Sequence, residues 1–80
     1  MHELGIMYKV VEQVLDVVKE HHLTEVEAIV LSLGKESGVV PSYLHACYPA
    51  TIDGTMLAPT RLEIEVTDGD EFSIKEIRAR

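Results

Sequence analysis

Eighty residues, 46% of them hydrophobic, are enough for one small domain with a core, spanning residues 1–80. At this size a chain buries only about 60% of the surface its unfolded form exposes. Seven basic against fourteen acidic side chains give a net charge of -7. That leaves no basic surface to neutralise phosphates or an anionic bilayer, so nucleic-acid and membrane-surface partners are excluded.

The chain opens with Met1-His2-Glu3. A histidine one residue from a free α-amine can close two fused chelate rings through that amine, its own amide nitrogen and Nδ1. Such square-planar nitrogen ligation suits Ni(II) or Cu(II). It asks only that the terminus stay free, whereas the plainer reading is a frayed helix start with Glu3 well placed for the dipole. From Glu3 to about Glu20, Leu4, Met7, Tyr8, Val11, Val14, Leu15 and Val18 recur at steps of three and four, which predicts an amphipathic helix. His21 and His22 follow it. Neighbours on a helix point about 100° apart, so they read as a solvated helix end rather than a second metal locus.

Glu25 to Leu33 reads as a strand, and its continuous run Ala28-Ile29-Val30-Leu31 predicts cover on both faces, at least in part. Gly34 opens a turn-rich loop, and Pro41 suits the first position of a second helix with Tyr43, Leu44, Cys47 and Tyr48 as its apolar stripe. Pro49 predicts that this helix is short, or kinked near Ala46. His45 and Cys47 stand two apart, which splays them on a helix, and Cys47 reads as a small buried hydrophobe. That single cysteine leaves no internal disulfide and no zinc site built from several cysteines. With no signal-like start and no apolar run near 18 residues, the chain reads as cytoplasmic.

Arg61 to Val66 alternates strictly, with Leu62, Ile64 and Val66 on one face. A three-residue Thr67-Asp68-Gly69 loop, with Gly69 at the left-handed position of a type I turn with a G1 bulge, then predicts a hairpin, with Phe72 opposite Ile64 and Ile74 opposite Leu62. Ile77 falls off the alternation, so the last strand bulges or ends near it. The order α-β-α-β-β predicts an α+β fold with two helices on one face of a mixed three-stranded sheet. No nucleophile–base pair or phosphate loop points to an enzyme.

Several segments in this order resemble one family. They are Met1-His2-Glu3-Leu4 running into the helix, Leu33-Gly34-Lys35-Glu36-Ser37-Gly38-Val39, Gly54-Thr55, Leu62-Glu63-Ile64-Glu65, and Gly69 to Ile77. The chain resembles the HypA/HybF nickel-insertion metallochaperones of [NiFe]-hydrogenase and urease maturation. The resemblance implies nickel bound by the His2 imidazole and the backbone nitrogens of Met1, His2 and Glu3, with the Glu3 side chain neutralising the site or orienting His2. It also implies two partners, a nickel-delivery GTPase and the hydrogenase large-subunit precursor. In the family a zinc segment with two CxxC pairs lies between the last two strands. Here Thr67-Asp68-Gly69 stands in its place, so no zinc is expected, and the tight turn suits a complete small protein or equally an engineered deletion of that segment. The lost zinc segment and the two-sided strand Ala28–Leu33 support an alternative, a metal-free interaction scaffold able to pair with a second subunit.

Overall fold

The computed structural model describes residues 2–80. Helix α1 (Glu3–Glu20) leads into strand β1 (Val26–Gly34), helix α2 (Pro41–Ile52), strand β2 (Arg61–Thr67) and strand β3 (Phe72–Ala79). The order and the α+β class are those the sequence predicts. The sheet is mixed: β2 runs parallel to β1, and β3 antiparallel to it.

The strand order is β2-β1-β3, so the predicted hairpin does not form. Phe72 lies opposite Leu33 and Ile74 opposite Leu31, both on β1, and not opposite Ile64 and Leu62. Burial decides this. Every residue of β1 is buried or half-buried, whereas β2 and β3 hold only half-buried and exposed residues, as suits edge strands. Spanning two strand spacings takes about 9.6 Å, within reach of the short connection Asp68–Glu71. That connection wraps the end of β1: the amides of Gly34, Lys35 and Glu36 donate to the carbonyls of Glu71, Thr67 and Gly69 at 2.7, 2.8 and 2.7 Å. Gly69 adopts the expected left-handed φ of 94°.

One face of the sheet meets the helices. Ile29, Leu31 and Leu33 pack there with Met7, Val11, Val14 and Val18 of α1, with Leu44, Tyr48 and Ile52 of α2, and with Leu57. Leu4 and Tyr8, placed in the stripe by periodicity, are exposed, and Val10 is buried instead. The helix is thus rolled toward β3. The register of β3 shifts between its partners Val30 and Leu31, a bulge that returns Ile77 to the core face opposite Ile29.

Charged side chains cover the other face. Ala28 and Val30 are buried there beneath Arg61, Glu63, Glu76 and Arg78, their neighbours on the two edge strands. Arg78 reaches Glu63 across β1 at 3.2 Å, and Lys75 reaches Glu65 at 2.8 Å. Aliphatic stems of long side chains shield apolar surface while their heads remain wet. The two-sided burial of β1 therefore needs no second layer.

Helix α1 ends where His22 takes a left-handed φ of 53°. The His22 amide donates to Lys19 O, and the Leu23 amide to Val18 O at 3.0 Å, satisfying carbonyls of the last turn. Helix α2 is not cut short as expected: it runs twelve residues and continues through Pro49. Leu44, Tyr48, Thr51 and Ile52 are buried on both sides of the proline, so packing holds the last turn in place despite the missing hydrogen bond. Beneath it the Tyr48 hydroxyl donates to Thr60 O at 2.8 Å, and the Thr60 hydroxyl to Val26 O at 2.7 Å, tying α2 to β2 and β1.

Candidate metal centre

Met1 lies outside the described residues. His2 is exposed and holds the N-cap position of α1, with φ -92° and ψ 81° and no side-chain capping bond. The Ile6 amide donates to the His2 carbonyl at 3.1 Å. The amides of His2 and Glu3 therefore precede the i to i-4 ladder, as the first N–H groups of any helix do. Apolar residues at Met7, Val11 and Val14 bury α1 from its second turn onward, and Gly5 adds no contact to the first turn.

The Glu3 side chain is half-buried. Its carboxylate accepts a hydrogen bond from the Val40 main-chain N–H at 3.4 Å. The starts of α1 and α2 are thus tied together. Sequence reasoning missed Val40, because a main-chain donor carries no residue signature and the contact spans 37 positions.

The other candidate ligands lie apart. His21 and His22 sit at the far end of an 18-residue helix, about 27 Å along its axis from His2. His45 is exposed on α2. Cys47 is partly buried, its Sγ donating toward Leu44 O at 3.5 Å. Burial pushes its thiol above the ordinary range, its own main-chain N–H opposes that rise, and the Glu3 charge adds to it. Among the described residues, no three His, Cys, Asp or Glu side chains come together to hold a metal ion. A metal at this terminus would have to draw on main-chain nitrogens besides the His2 imidazole.

A family model described as hydrogenase/urease nickel incorporation, metallochaperone, hypA matches residues 1–72. The hydrogenase maturation factor HypA of Deinococcus radiodurans is 39% identical over 69 residues, covering 86% of this chain and 58% of that protein. HypA of Methanosarcina barkeri is 35% identical over 66 residues, covering 82% and 50%. This chain belongs to the HypA family. It spans about half the length of these relatives, 58% of one and 50% of the other. The solution structure of the Ni metallochaperone HypA from Helicobacter pylori matches with a TM-score of 0.75 over 95% of this chain and 72% of that one. At 14% identity that likeness concerns the fold alone.

Proposed function

We propose that this chain captures Ni(II) at its N-terminus and passes it on for [NiFe]-hydrogenase maturation in the cytoplasm. Nickel is cargo, and the protein carries out no chemistry on a substrate. The ligands are the His2 imidazole and the main-chain nitrogens of Met1, His2 and Glu3. A nickel-delivery GTPase and the hydrogenase large-subunit precursor are the partners between which the ion would move. Zinc plays no part in this reading.

The carrying observation is the position of His2 and Glu3. An exposed imidazole stands at the N-cap, beside amides that the helix does not use. Amide nitrogens bind a metal only after losing their protons, so binding releases protons and weakens on acidification. The bond from Val40 N–H to Glu3 restrains the carboxylate beside the ligands, where its charge offsets that of the ion.

Ni(II) titrated into protein with an unmodified N-terminus is expected to give the d–d absorption band of a square-planar site, and His2→Ala to abolish it. Equal binding by the two proteins, or none by either, refutes the carrier reading and favours the metal-free scaffold.

A further inference from the structure

The flank of α1 that meets β3 is open. Ile6, Lys9, Val10 and Gln13 recur along it at helical spacing. With Phe72, Ser73 and Ile74 they line a cleft of about 290 Å³. Val10 is buried, Ile6, Phe72 and Ile74 are half-buried, and Lys9 and Gln13 form an exposed rim.

The strand beside this cleft has a free edge, since β3 is the outer strand and pairs only with β1. The Gly34 amide donates to the Glu71 carbonyl at 2.7 Å, so the Glu71 carbonyl faces β1. Alternation along an antiparallel ladder then turns Ser73 toward β1. The N–H and C=O groups of Phe72 and Ile74 turn outward. Their side chains line the cleft, on the α1 side. A strand added at this edge would hydrogen-bond opposite Phe72 and Ile74. Its residues at those positions would point into the same cleft.

The dimensions fit two such residues. Ile6 to Gln13 spans about 10 Å of helix, and alternate strand residues lie about 7 Å apart. The bulge after Ile74 limits regular pairing to this end of β3. Charge completes the description of the occupant. Lys35, Arg61, Lys75 and Arg78 all sit in ion pairs. Lys9 sits in none among the described residues, which leaves a free cation on the rim of a chain whose net charge is -7.

The geometry points to a docking site for an extended acidic–apolar segment of a partner protein, added beside β3. Two alternate apolar side chains enter the cleft, and a carboxylate meets Lys9. The site begins one helical turn beyond His2, uses none of the N-terminal ligands and does not depend on nickel.

The test uses the full chain, isotope-labelled, titrated with the synthetic peptides acetyl-Glu-Val-Thr-Val-Thr-amide and acetyl-Thr-Val-Thr-Val-Glu-amide and with counterparts carrying lysine for glutamate. At least one glutamate peptide is expected to shift the amide signals of Phe72 and Ile74 and slow their exchange. Its lysine counterpart should bind about fivefold more weakly, the scale of one exposed ion pair. Lys9→Glu, an exposed change, should reverse that preference. Ile74→Pro removes an outward N–H without touching the β1 ladder and should abolish binding. Shifts that map elsewhere, or a preference that Lys9→Glu leaves unchanged, overturn the proposal. So does sedimentation showing that a second copy of this chain occupies the edge.

Discussion

Replacing Gly34 with alanine tests how tightly the β2–β3 connection closes over the end of β1. A Cβ built at Gly34 would run into the Gly69 carbonyl oxygen and stand 2.7 Å from its carbon and 2.9 Å from the Asp70 nitrogen. Comfortable contact begins near 3.5 Å, and all three obstructing atoms are main chain, so no side chain can swing aside. The connection must withdraw by about 1 Å. Three hydrogen bonds of 2.7–2.8 Å, from Gly34, Lys35 and Glu36, would lengthen together. Each is worth about 1 kcal/mol net, and overpacking a tight site costs about 1–3 kcal/mol. With the bonds only partly lost, the expected destabilisation is about 2–3 kcal/mol. In a domain of this size that lowers Tm by about 10–20 °C. Urea unfolding followed by circular dichroism measures the first quantity. Amide exchange at Lys35 and Glu36 locates it, since those two amides should lose protection first. A variant within about 0.5 kcal/mol of the parent, with protection at both amides unchanged, would refute the close approach on which the reasoning rests.

Other expectations concern the terminus and the buried polar groups. A peptide tag fused ahead of Met1 should abolish tight Ni(II) binding, because it converts the α-amine into an amide. Undiminished affinity in isothermal titration would place the metal elsewhere, with His21, His22 and His45 the next residues to change. Tyr48→Phe leaves the Thr60 carbonyl without its 2.8 Å donor and should cost about 1–2 kcal/mol in the same urea assay. Burial pushes the Tyr48 hydroxyl up to about 12 from the ordinary value of 10.0. Its folded value thus exceeds its unfolded one, so this contribution is complete below pH 10 and fades as the pH rises from there toward 12. Alkaline unfolding of the parent and of Tyr48→Phe should therefore converge across that window, and parallel curves would disprove the assignment. Burial also raises the Cys47 thiol, so its reaction with a disulfide reagent at neutral pH should run well below the rate seen in urea.

Much of this protein was legible in the sequence. Local patterns fixed the helix over Glu3–Glu20, the proline at the start of α2, the left-handed glycine at 69 and the departure of Ile77 from the alternation, because each rests on a few neighbouring residues. The ordered segments that resemble the HypA family were equally local, and the family model and the relatives bear that membership out. His2 and Glu3 could be named as candidate ligands because their chemistry lies in the first residues of the chain.

Only the tertiary structure decided which strand is central. Turn chemistry favoured pairing β2 with β3, but the energy of burying all of β1 outweighed a local hairpin, and β1 lies between them. Packing likewise carried α2 through Pro49 and rolled α1 so that Val10 rather than Leu4 or Tyr8 is covered. The cross-sheet lattice of Glu63, Arg78, Glu65 and Lys75 exists only because the two edge strands flank the same neighbour. The same holds at the terminus: chemistry at the start of the chain depends on residue identity, while the bond from Val40 to Glu3 depends on two helix starts meeting in space.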